Sequence, residues 1–149
     1  MPRIGLALAF VLLLSGCASH SSLIIQPYSE LSIEVPNEMF SSVKVRDAEL
    51  LFLRNDRIIG FVKSDEIPST VSTGSAIDTS STLFESAEQG SNKPVWIERI
   101  PEARVFGVVQ GEFRTLFIVP DNHAQSLITF QGPTESSTSI RINGEKISY

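Results

Sequence analysis

The chain has 149 residues, 42% hydrophobic and 19% charged, with a formal net charge of −5 and one cysteine. That length fits one domain with a core of its own. One cysteine excludes an internal disulfide framework and a cysteine-built metal site, and an acidic chain without a basic cluster excludes a nucleic-acid binder.

The chain opens MPRIGLALAFVLLLSGC. Arg3 and the amino terminus carry positive charge, and Ile4 to Leu14 is an uncharged apolar run. A bilayer-spanning helix needs about 20 such residues, so this run is too short to be one. A charged start, a short apolar stretch and small residues behind it describe a secretory signal peptide. Leu14-Ser15-Gly16-Cys17 resembles the lipobox of bacterial lipoproteins. The resemblance implies that the Cys17 thiol receives a diacylglyceryl group, that the chain is cut between Gly16 and Cys17, and that the new amine is acylated. The chemistry fits, because the thiol is a readily alkylated side chain. One acyl chain holds a protein only marginally, at roughly 0.8 kcal/mol per buried CH₂, whereas two or three hold it lastingly. By the same resemblance, Ala18 in place of aspartate implies the periplasmic face of the outer membrane. Removing the first 16 residues leaves 133 and, with Arg3 gone, a formal charge of −6. Anionic lipid would repel such a domain, so the lipid on Cys17 rather than charge is the expected membrane partner.

Residues 17–27 are expected to be the lipidated cysteine and a short tether, and residues 28–149 a single β-rich domain. Ten tether residues reach at most about 33–36 Å, which keeps the domain near the bilayer. Within the tether, Leu23-Ile24-Ile25 fits the start of a strand. Leu31–Val35 and Ser42–Asp47 alternate apolar and polar residues, the pattern of half-buried strands. Glu49–Arg54 and Arg57–Lys63 flank Asn55-Asp56, which predicts a tight hairpin. Ser69–Thr82 holds nine Ser or Thr in 14 residues and reads as a long loop, because those side chains compete for backbone hydrogen bonds. Thr82-Leu83-Phe84-Glu85 fits a capping box, which predicts a short helix from Leu83 to Gln89 stopped by Gly90. Val95–Ile100, Arg104–Gln110, Arg114–Val119 and Gln125–Gln131 read as strands. Asn143-Gly144 between alternating segments from Ser139 to Tyr149 marks a final hairpin. The expected fold is α+β: eight or nine mainly antiparallel strands with one short helix, or alternatively an all-β sandwich or barrel.

Chemical signals are few. Ser41-Ser42-Val43-Lys44 has the S-x-x-K spacing of penicillin-binding proteins, where serine opens a helix. Here it enters a strand, and its companion motifs are absent. Asp121 and His123 are weak candidates for a general-base pair, although Pro120-Asp121-Asn122-His123 is also good turn chemistry. His20, the other histidine, falls in the tether. Asp65-Glu66 and Glu98 with Glu102 are carboxylate pairs that fit solvated surface. Gly107 and Gly111 suit a bulge or turn. Trp96 and the phenylalanines read as core. No catalytic residue, metal site or cofactor follows. The resulting expectation is a non-enzymatic binding or adaptor module for another envelope component, a protein. The alternatives are an envelope hydrolase with an unrecognised site and a small-ligand carrier.

Overall fold

In a computed structural model, residues 21–90, 92–137 and 140–147 are described. The expected signal peptide with its Gly16–Cys17 cleavage point, and Ala18, His20, Ser139 and Tyr149, lie outside them. The elements are β1 (Ser22–Tyr28), β2 (Leu31–Pro36), a 3-10 turn (Asn37–Met39), β3 (Ser42–Arg46), β4 (Glu49–Arg54) and β5 (Arg57–Glu66). These are followed by α1 (Ala76–Gln89), β6 (Val95–Ile97), β7 (Ala103–Gln110), β8 (Phe113–Pro120), β9 (Ser126–Pro133), α2 (Thr134–Ser137), β10 (Arg141–Ile142) and β11 (Glu145–Lys146). The fold is α+β with a mainly antiparallel sheet content, as the patterning predicted.

Two open sheets form. The larger has the order β3-β4-β5-β9-β8-β7-β6 and the smaller β1-β2-β10-β11. Successive side chains on a strand point to opposite faces, and the large sheet uses both. On one face Leu50, Phe52, Val62, Leu116, Ile118 and Phe130 join Ile25, Leu31, Ile33, Val35 and Ile142 of the small sheet in one core. On the other, Val119 packs with Ile67, Ala76 and Leu83, and Phe106 meets Phe84 of α1 edge-on at 5.4 Å between ring centres. The molecule is therefore layered as small sheet, large sheet and helix.

The predicted hairpins form where turn chemistry demanded them. Asn55 and Asp56 adopt φ of 52° and 60°, Asn143 and Gly144 φ of 49° and 82°, and Gly111 φ of 60°. Asn143 also carries tertiary structure. Its Oδ1 accepts from the Ser32 N–H at 2.8 Å and its Nδ2 donates to the Pro101 carbonyl at 2.6 Å. At Gly60 a β-carbon would collide with the Gln131 carbonyl oxygen on β9, so β5 and β9 close only over a glycine.

Three expectations are corrected. The strand β1 begins at Ser22, so most of the segment read as tether is sheet. The helix begins at Ala76 rather than Leu83, inside the segment read as a loop. Its cap is Ser75, whose side chain accepts from the Asp78 N–H, and it ends at Gly90 as predicted. Two hydroxyls of the segment expected to oppose a helix bond back into it instead, Ser80 to the Ile77 carbonyl and Thr82 to the Asp78 carbonyl, both at 3.0 Å. A sheet face that needs covering outweighs this weak local preference. Finally, the strand expected over Val95–Ile100 stops at Ile97. Beyond it Arg99 and Glu102 take φ of 66° and 59°, and the chain turns.

Two substitutions test this packing. Thr79 on α1 is fully buried, and its hydroxyl has no hydrogen-bond partner among the described residues. Thr79→Val keeps the shape and removes the unpaired group, so it is expected to raise stability by about 1 kcal/mol in urea unfolding. Gly60→Ala forces apart two paired backbones and is expected to cost at least about 1–3 kcal/mol in the same assay.

Candidate functional site

The weak pair Asp121 and His123 sits on the connection between β8 and β9. Backbone bonds build this turn. The Asp121 N–H donates to the Glu102 carbonyl, His123 N–H to Pro120 and Ser126 N–H to His123, at 2.9, 3.1 and 2.9 Å. The two side chains then part. Asp121 Oδ1 lies 3.4 Å from Arg104 Nε, whereas His123 Nε2 lies 2.7 Å from Glu30 Oε1. No Asp–His couple is assembled, and each residue is held by a different partner.

His123 instead belongs to a cluster joining the β1–β2 turn to the β8–β9 turn. Its ring stacks on Tyr28, with centres 3.9 Å apart and planes 16° from parallel. The Tyr28 hydroxyl is 2.6 Å from Ser126 Oγ. The Ser29 hydroxyl donates to Glu30 Oε2 at 2.6 Å. The Glu30 carboxyl is held below the ordinary carboxylate range, first by the Ser29 hydroxyl and then by its own backbone N–H; burial opposes them, and His123 lowers it further by smaller amounts. The Glu30–His123 contact is an ion pair when the imidazole is protonated and a hydrogen bond when it is neutral. His123 and Ser126 also line a shallow, open depression of about 350 Å³ with Gly74 and Gln125. Ser126 shares its hydroxyl with Tyr28 and His123 holds Glu30, so the contact of a nucleophile with its base is not made. The cluster fastens two turns of different sheets together. Tyr28 and Glu30 lie more than ninety positions from His123, and nothing in the sequence marked them as its partners.

The remaining polar signals are placed as follows. Ser41 donates its hydroxyl to the Leu53 carbonyl at 3.1 Å, and Lys44 stands on β3, so the S-x-x-K spacing forms no helical couple. Asp65 pairs with Lys63 at 3.0 Å, and Glu66 follows it on the other face of β5. Glu98 and Glu102 belong to the turn between β6 and β7. Among the described residues no group of three or more His, Cys, Asp or Glu side chains is gathered as a metal site would need.

A second feature lies between α1 and β6. A groove of about 340 Å³ runs there, lined by Ile77, Ser80 and Ser81 of the helix, Trp96 and Ile97 of the strand, and Arg99 beyond it. Trp96 is not the core residue its type suggested: it stacks on Phe84 at 4.7 Å and remains 38% exposed. Ile77 is 55% exposed. The strand β6 is three residues long and terminates the large sheet, and the groove reaches past it to Ala103 and Val105 of β7.

The carboxyl of Glu30 gives a test. A carboxylate whose folded pKa is depressed stabilises the protein above its unfolded pKa, and that contribution is lost as pH falls through the folded value. Here the loss lies below the ordinary value of 4.5. Glu30→Gln is expected to lower stability at pH 7 and to converge with the wild type in strong acid, read from thermal unfolding across a pH series. Parallel curves at every pH would show that ionised Glu30 contributes nothing.

Among the described residues no helix is long and apolar enough to cross a membrane. Compared with protein-family models, with curated proteins and with solved structures, the chain matches none.

Proposed function

We propose that this chain is an envelope lipoprotein, held to the periplasmic face of the outer membrane by acyl chains on Cys17, and that its domain is a non-enzymatic binding module for another envelope protein. The observation that carries the anchoring half is the closeness of Cys17 to ordered sheet. β1 starts at Ser22, so the domain begins where a cleaved lipoprotein signal would leave off. The binding half is supported by the groove between α1 and β6. It offers an exposed aromatic ring and an isoleucine beside the terminal strand of a sheet, features that suit capture of an extended segment through strand addition and side-chain pockets. Aromatic side chains of this kind dominate interface energetics.

Capture from detergent-solubilised envelopes tests the reading. The bait is the full-length protein made with its own signal, compared with Cys17→Ser and Ile77→Glu. Mass spectrometry of wild type should show a diacylglyceryl cysteine at residue 17, absent from Cys17→Ser. One stoichiometric protein should be captured by wild type, less by Cys17→Ser, and several-fold less by Ile77→Glu, whose exposed site leaves folding intact. An unmodified Cys17 refutes the anchor. Equal capture by wild type and Ile77→Glu refutes the groove.

A further inference from the structure

The anchor reading has a geometric consequence for the opposite ends of the large sheet. Ser21, the first described residue, is pinned. Its carbonyl accepts from the Asn37 N–H at 3.1 Å, and its hydroxyl oxygen accepts from Asn37 Nδ2 at 2.8 Å. Asn37 opens the 3-10 turn, whose Glu38 and Met39 carbonyls accept from Arg54 Nη2 at 3.2 and 2.7 Å. Arg54 ends β4 at the mouth of the Asn55-Asp56 hairpin. The N-terminal segment is thereby fastened to one end of the large sheet.

Cys17 precedes Ser21 by four residues, a reach of at most about 14 Å. The far end of β4, at the Asp47-Ala48 turn, lies about 20 Å from Arg54 along the strand. From this we infer that the end of the domain bearing the β4–β5 and β7–β8 hairpin tips rests on the lipid surface, and that the Asp47-Ala48 end points away from it. The inference depends on lipidation at Cys17 as proposed above.

The chemistry of this end suits an interface with zwitterionic lipid. Ile58, Val109 and Phe113 stand on the strands beside the two tips and are 53%, 48% and 41% exposed; at the opposite end Val45 is, among the described residues, the one comparably exposed apolar side chain near the Asp47-Ala48 turn, at 62%. Interfacial segments bury such side chains roughly 5–10 Å into the headgroup boundary. Arg54 and Arg57 can meet lipid phosphates, while Asp56 and Glu112 can meet headgroup ammonium groups. The mixed charge and the acidic domain argue against an anionic surface. The Glu30–His123 cluster stands at the Tyr28 end of β1, away from the lipid, and the α1–β6 groove opens at the side of the sheet. A partner can therefore reach both with the anchor in place.

The experiment uses full-length lipidated protein reconstituted into phosphatidylcholine vesicles containing a spin-labelled phosphatidylcholine quencher. Arg57→Cys and Ala48→Cys, both at exposed positions, each receive a thiol-linked environment-sensitive fluorophore, since the Cys17 sulfur is already consumed by lipid. Flotation with the vesicles reports the anchor, and quenching reports the orientation. The expected result is flotation of both, with the Arg57→Cys label quenched several-fold more than the Ala48→Cys label. Flotation with equal or reversed quenching overturns the orientation alone. Failure to float, with Cys17 unmodified, overturns the anchor and this inference with it. Amide exchange on the unlabelled wild type supplies a measurement free of substitutions. Vesicles should slow exchange at residues 54–58 and 110–113 and leave 47–49 unchanged, and the reverse pattern counts against the proposal.

Discussion

A seven-stranded sheet with apolar side chains on both faces cannot stand in water with either face bare. Every other feature of this molecule answers that constraint. The small sheet covers one face, closing Leu31, Ile33 and Val35 over Leu116, Ile118 and Phe130 with essentially no exposure. The helix covers part of the other through Ala76 and Leu83. Each fully buried side chain of this size contributes about 1.5–3 kcal/mol relative to exposure, and with no disulfide available within the described domain, burial has to carry the fold.

The small sheet is assembled from both ends of the chain. The strand β2 pairs on one side with β1 and on the other with β10, where Ile33 faces Ile142. The N-terminal segment thus belongs to the core. The turn it makes at Ser29-Glu30 is fastened to the β8–β9 turn by the Tyr28–His123 stack and the Glu30 contact. Aromatic stacking adds about 0.5–1.5 kcal/mol beyond area burial. A histidine, a serine and a carboxylate brought together in this way serve to lock two sheets, each occupied with a partner that suits a structural tie.

The edges of the large sheet are treated differently. β3 carries Lys44 and Arg46, charges that discourage pairing with another chain, although Val45 on it is exposed. At the opposite edge, β6 has only three residues and is shaded by α1, leaving a groove in place of a flat template. The binding reading draws on this asymmetry: one edge is guarded by charge, and the other offers Trp96 and Ile77 beside a short backbone edge.

What was legible in the residues was local. Period-two alternation placed β2 and β3, while the long strands of the large sheet, buried in part on both faces, were legible as apolar runs bounded by turn residues. Asn55-Asp56 and Asn143-Gly144 placed two hairpins, because few residues accept positive φ. The resemblance of Leu14-Ser15-Gly16-Cys17 to a lipobox also lies in consecutive residues, and the proposed anchor rests on it. The rest was decided between distant positions. The start of α1 at Ala76 depended on a sheet face waiting to be covered, which overrode the Ser/Thr composition around it. The parting of Asp121 from His123 depended on Arg104 and Glu30 standing nearby. The exposure of Trp96 depended on where the large sheet ended. By itself the sequence determined strands and turns, because each is a property of consecutive residues. Tertiary structure alone decided which polar groups meet and which apolar groups stay outside, because those outcomes depend on what packs against each residue from elsewhere in the chain.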